Sequence, residues 1–435
     1  MRSSEPLLLA VVCFAHRAAS LVHSVLVSML SAQSGIGGIG GGVTQMFDQS
    51  DSDPGFDLLF TLRKPELVKW ERDEDFNPRV SAILFAAHYR LQSITSDTDP
   101  RPAIEAELEA FADTPISRRQ QMWLYYLLAR CADARDFSDS NNFYSALEYL
   151  ARAENIGLTI QDFGAVIDAL NLQGAYQRAV SQYREAADSY DQALRYLREH
   201  ASDFASKDPD FEVELAGRAA MTDILIGNYE RARTHVFSAA TLLPLTKDPQ
   251  GAGNLAWSFA LLSRQSGEPL EAYQRIWQAV LYYRQLPPSN SRCRVLVLAA
   301  EIAMDATEAQ PADATGYLQR ATEYLREAEE IGAQAEDEPG LELLKLSRFR
   351  WERLTQATNA ADAEARIGEA LSWAREHNDE SLLFMAQTAI GVELLEAGQP
   401  DAGRTWLTRA VATARNLRTP GLAYYAQRKL RDMKP

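Results

Sequence analysis

Beyond residue 57 the apolar positions of this chain recur at steps of three and four, interrupted at short intervals by polar or Gly/Pro-containing segments. That period gathers the apolar side chains on one face of an α-helix. Tyr183, Ala186, Tyr190 and Ala193 form the clearest stripe, at steps of three, four and three. Pro78 precedes a second run, Val80, Ile83, Leu84, Ala87 and Leu91, and stands where a proline opens a helix. Trp123, Tyr126, Leu127 and Cys131 predict another, and Phe143, Ala146, Leu150 and Ala153 its neighbour across the polar segment 136–142. Residues 57–73 and 104–111 carry shorter stripes of the same kind. Clusters of β-branched residues between turns, the mark of strands, are scarce, so the pattern predicts an all-α chain.

Laid over this pattern is a repeat of small and aromatic residues. Gly227, Tyr229, Ala232 and Ala239 are followed by Pro244; Gly267, Pro269, Ala272 and Ala279 keep the same spacing, as do Gly398, Pro400, Gly403 and Ala410. One such helix pair cannot bury its own apolar face, so copies must stack into a superhelix. Small residues let the helices approach closely, and the aromatic fills the space beside them.

These residues resemble the tetratricopeptide repeat family, whose helix-turn-helix unit carries a small residue within its first helix, Gly-x-Tyr at the turn, and Ala, an aromatic, Ala and Pro along the second helix. Ala220, Gly227, Tyr229, Ala232, Val236, Ala239 and Pro244 fill these places in one unit, and Gly174, Tyr183, Ala186, Tyr190 and Ala193 in the unit before, where Ser181 takes the turn position. Ala260, Gly267, Ala272, Ile276 and Ala279 come next, and Gly391, Gly398, Leu407 and Ala410 come last. Between them Gly316, Ala321, Leu325 and Ala328 keep a second helix whose preceding turn is lengthened around Gln310 and Pro311; residues 351–377 form a looser pair, and 421–433 a solvating terminal helix. The resemblance implies an α-solenoid of stacked antiparallel helix pairs, wound as a right-handed superhelix over residues 120–433, with residues 46–119 as N-terminal helices that are either degenerate repeats or a cap.

Composition agrees with an elongated helical array and removes some partners. Of 435 residues, 46% are apolar and 24% charged, and the formal net charge is −16. Such a surface repels phosphate backbones, so no nucleic-acid partner is expected. The basic run 345–350 reads as a solvated helix face. Three cysteines, Cys13, Cys131 and Cys293, cannot build a disulfide framework or a zinc site and point to the cytoplasm. The first 45 residues differ: the apolar segment 7–30 is interrupted by His16, Arg17 and His23, and the tract 35–42 is glycine-rich. Gly35, Gly37 and Gly40 spell a dinucleotide-binding spacing without the strand and helix it needs, so the tract reads as a linker. Residues 1–45 are expected to lie outside the folded array, as a signal, an anchor or a non-native leader; export or membrane contact through residues 6–30 is the alternative to a cytoplasmic location.

Catalytic chemistry is missing from the sequence pattern. There is no phosphate-binding loop, no His-Glu-x-x-His and no nucleophile elbow, and the six histidines are scattered without a ligand pair, so no enzyme, metal or cofactor is expected. The acidic groups 327–330 and 336–338 read as solvated charge, and His235 as a surface or satisfied residue. Under the resemblance, the first helix of each pair forms the concave wall, and its groove-facing places fall on Asn171, Glu214, Arg218, Asn254, Trp257 and Arg264. Amide and guanidinium groups suit an extended peptide backbone and its carboxylates, and an indole supplies stacking area, although Trp257 also fits a core position. The Lys and Asn pair with which some family members hold a chaperone C-terminus is not matched here. The expected function is a non-catalytic adaptor or scaffold that binds a protein or peptide; the alternative is a regulatory sensor that binds a peptide or small ligand and controls an effector in trans.

Overall fold

Among the described residues, the short Gly- or Pro-containing breaks become turns between consecutive helices. The computed structural model describes residues 75–92, 101–111, 114–131, 140–200, 209–355, 360–377, 379–396 and 398–432. Among them are seventeen α-helices and no strand: α1 (Pro78–Gln92), α2 (Arg101–Glu109), α3 (Arg118–Cys131), α4 (Ser140–Thr159), α5 (Phe163–Ala179), α6 (Tyr183–Glu199), α7 (Pro209–Ile226), α8 (Tyr229–Ala240), α9 (Pro249–Ser266), α10 (Pro269–Tyr283), α11 (Asn290–Ala309), α12 (Ala314–Gln334), α13 (Glu338–Leu354), α14 (Ala360–Glu376), α15 (Glu380–Glu396), α16 (Pro400–Asn416) and α17 (Pro420–Asp432). The segments 1–45 and 57–73 fall outside the described residues.

From α3 onward the helices pack as consecutive pairs, α3 with α4 through α15 with α16, and each pair also packs on the next. α7 packs on its partner α8 and on α6 and α9, which is why it is buried on almost every side. Second helices are amphipathic: α6 buries Tyr183, Ala186, Tyr190, Ala193 and Leu194 and turns Arg184, Glu185 and Asp188 outward. The core is accordingly a succession of adjoining apolar clusters along the array.

The repeated glycine marks the turn inside a pair. Gly227, Gly267 and Gly398 all have left-handed backbone, with φ of 82°, 80° and 74°, and Ser181 holds the same turn at φ 62°. A residue past the end of a helix takes this conformation to turn the chain, and a side chain there is strained. The other small positions serve close approach: a Cβ on Gly174 would stand 2.7 Å from the Tyr190 ring across the α5–α6 contact. Some starts are set by side-chain caps. The Asp248 carboxylate accepts from the Gln250 and Gly251 amides at 2.9 and 2.7 Å, with Pro249 opening α9. The lengthened turn at Gln310 and Pro311 is a short 3-10 segment, Pro311–Asp313.

Four sequence expectations need correction. The looser pair begins at Glu338, earlier than residue 351. The acidic groups before and within it are not simply solvated: Asp337 is fully buried and accepts from Arg294 Nη2 at 3.0 Å, while Glu327 is gripped by Arg284 and Arg292 at 2.6 and 3.0 Å. The basic run of α13 is likewise paired, Arg348 with Glu329 and Arg350 with Asp305. Partner groups far away in sequence turn these charges from solvated into structural ones. Finally, α17 does more than solvate the array's end: it packs on α16 and also returns to α7.

Candidate ligand-binding face

Polar side chains inside largely buried helices are costly unless they meet partners, so those on the first helices are defined by the groups they engage. On α5 and α7, Arg218 donates to the Glu214 carboxylate and, at 3.4 Å, to the side-chain oxygen of Asn171. Three of the six residues expected at the groove are thus brought together, two of them one turn apart on α7 and facing α5. Glu214 and Arg218 keep a minor share of their side chains exposed.

Asn254 and Trp257 sit one turn apart on α9 and share one neighbour. The Tyr283 hydroxyl donates to Asn254 Oδ1 at 2.5 Å, and the Trp257 ring stands edge-on to Tyr283 with centroids 6.3 Å apart. Burial pushes the Tyr283 hydroxyl far above its usual range, so it acts as a donor. With 7% exposure, Trp257 is mostly core and shows a ligand only an edge.

Arg264, the sixth residue, opens a second network. Its Nε donates to Asp305 Oδ2 at 2.7 Å and its Nη1 to Glu301 Oε2 at 2.9 Å, both on α11. From α13, Arg350 reaches Asp305 Oδ1 at 2.7 Å, and the Ser347 hydroxyl donates to Glu301 Oε1 at 2.9 Å. Burial raises the pKa of Asp305, but Arg264, Arg350 and then Lys429 of α17 outweigh it and hold the carboxyl below the usual range. Arg264 therefore ties α9 to α11, and Asp305 ties α11 to α13.

Glu301, Asp305, Ser347 and Arg350 were not foreseen from the sequence. The first helices that carry them, α11 and α13, offered no matched small-residue position in the sequence, so no groove position in them could be carried over. One pattern could have found them: Glu301 and Asp305 stand one turn apart in the apolar run 295–306, where acids need a partner. Among the described residues no group of three or more His, Cys, Asp or Glu could hold a metal ion, and no helix is long and apolar enough to cross a membrane.

No protein-family model matches the chain, and no curated protein is significantly similar to it in sequence. Solved structures are similar in fold. The apo form of RapI superposes with a TM-score of 0.57 at 12% identity, over 86% of this chain and 92% of that one. Aspartyl phosphate phosphatase F from Bacillus subtilis gives 0.53 at 14% identity, over 86% and 96%. The apo form of the quorum sensor NprR from B. thuringiensis gives 0.52 at 13%, over 82% and 96%. At these identities the likeness is one of fold, and it agrees with the paired helices, left-handed turns and small-residue contacts: the chain is a tetratricopeptide-repeat-like α-solenoid.

Proposed function

We propose that this chain is a non-catalytic scaffold that binds a protein or an extended peptide on the face presented by its first helices, and that it works in the cytoplasm. The observation that carries this reading is the polar line itself. Asn171, Arg218, Arg264 and Arg350 recur on the first helices α5, α7, α9 and α13, of which α5, α7 and α9 are largely buried. Amide and guanidinium groups on the neighbouring helices α5, α7 and α9, and again on α13, suit the backbone carbonyls and carboxylates of an extended chain. Arg264 and Arg350 also act as struts, so the end of the line at Asn171 and Arg218 is the better candidate for direct contact.

A second reading is favoured by the fold likeness to NprR, named a quorum sensor. In that reading a peptide or small ligand changes the curvature of the superhelix, and an effector in trans reads the change. The two share the binding face and differ in the consequence of occupancy.

The test is a pooled library of short extended peptides passed over immobilised protein, wild type beside Asn171→Ala and Arg218→Gln. Peptides retained by wild type and weakened about tenfold or more in both variants are expected, since each removes a hydrogen-bonding group from the face. Retention identical in all three would remove the face from consideration, and hydrolysis of an acyl phosphate by the purified chain would overturn the non-catalytic reading.

A further inference from the structure

The last helix of the array touches its middle. Gly421, near the start of α17, lies against the last turn of α7, where a Cβ would run into the carbonyl oxygen of Ile224 and come within 2.9 Å of that of Leu225. The Tyr229 hydroxyl, at the start of α8, donates to the Gly421 carbonyl at 3.1 Å across a separation of 192 residues. Further along α17, Arg428 stands against the left-handed turn at Gly267, where a Cβ would be 2.7 Å from its Nη2, and Lys429 adds its charge to that of Arg264 and Arg350 around Asp305. One helix thus meets the ends of α7 and α9 at successive points along its length, and its charge acts on Asp305 of α11.

We propose that this contact is a reversible clasp that holds the pitch of the superhelix, so that the width available beside the first helices depends on whether α17 is docked. Two properties favour reversibility. The seam includes a glycine approach, a tyrosine hydroxyl and two cationic side chains. α17 meanwhile keeps an independent seat on α16, where Ala423 and Ala426 pack with Leu407, Ala410 and Ala414, so undocking does not require unfolding. The cations of α17 face the carbonyl ends of α9 and the carboxylate of Asp305, which makes docking sensitive to ionic strength. The consequence for ligand binding rests on the function proposed above; the clasp itself does not, and any ligand that prefers one state would shift it reciprocally.

Spin labels at the exposed positions Thr234 and Arg431, on α8 and α17, report the seam by pulsed distance measurement without ligand, in protein carrying Cys13→Ser and the buried native Cys131 and Cys293. Gly421→Ala favours the α17 helix but collides with Ile224, so it should lengthen the distance by about 5 Å, one helical turn, with helicity unchanged. Arg428→Glu with Lys429→Glu should lengthen it as well, as should 1 M salt, where the Debye length falls to about 3 Å. Should Gly421→Ala fray α17, the charge reversal decides. A wild-type distance that both variants and high salt leave unaltered would overturn the clasp, whatever the outcome of the peptide screen.

Discussion

At Gly398 the left-handed turn stands in open space: φ is 74° and a Cβ would meet nothing within 4 Å. Its replacement therefore isolates the backbone. Gly398→Ala should destabilise the chain by about 1 kcal/mol, read as a lower urea midpoint, because an L-residue is strained at positive φ. Ser181 carries that strain at the equivalent turn, so Ser181→Gly should shift the midpoint upward. Ala232 and Ala239 represent the other kind of small residue. Both are fully buried in the α7–α8 pair, and leucine at either should overpack it and remove roughly 1–3 kcal/mol in thermal melts. Glycine at the turns and alanine at the contacts answer different constraints, a dihedral angle in one case and a volume in the other.

At the scale of helices, the same spacing that reveals four units conceals those between. Here side-chain charge adds to small-residue contact: Arg264, Glu301, Asp305 and Arg350 join three successive first helices. Asp305→Asn should remove about 2 kcal/mol at neutral pH, since it leaves two guanidinium groups sharing a neutral partner. The pH dependence has a definite sign. Asp305 titrates below its unfolded value in the folded protein, so its contribution is present above the ordinary carboxylate range near 4 and lost as pH falls through the lower folded value. Thermal melts of the wild type should therefore decline on acidification below about pH 4, and Asp305→Asn should make that decline shallower. Glu327, held down by Arg284 and Arg292 against the upward push of burial, adds a second contribution of the same sign. The expected groove residues show the limit of reading position without partners: Asn171, Glu214 and Arg218 meet one another, Asn254 and Trp257 are engaged by Tyr283, and Arg264 is a strut.

For the whole molecule, the paired helices, their turns and their order come from local information, because helical period, capping residues and the left-handed glycine each act within a few residues of their own position. Stacking into a solenoid is equally legible, since a unit with an unburied apolar face has only its neighbours to cover it. Contacts across many residues were beyond the reach of the sequence alone. The pairing of Asp337 with Arg294 and of Asp305 with Arg264 and Arg350, and the meeting of Gly421 with Ile224, depend on how far each pair rotates on the last. That rotation is the sum of small differences in side-chain size at every interface, and a local pattern records the interfaces without recording their sum. Tertiary structure alone therefore decided which charges are struts, which polar groups remain on the face of the first helices, and where the end of the array comes to rest.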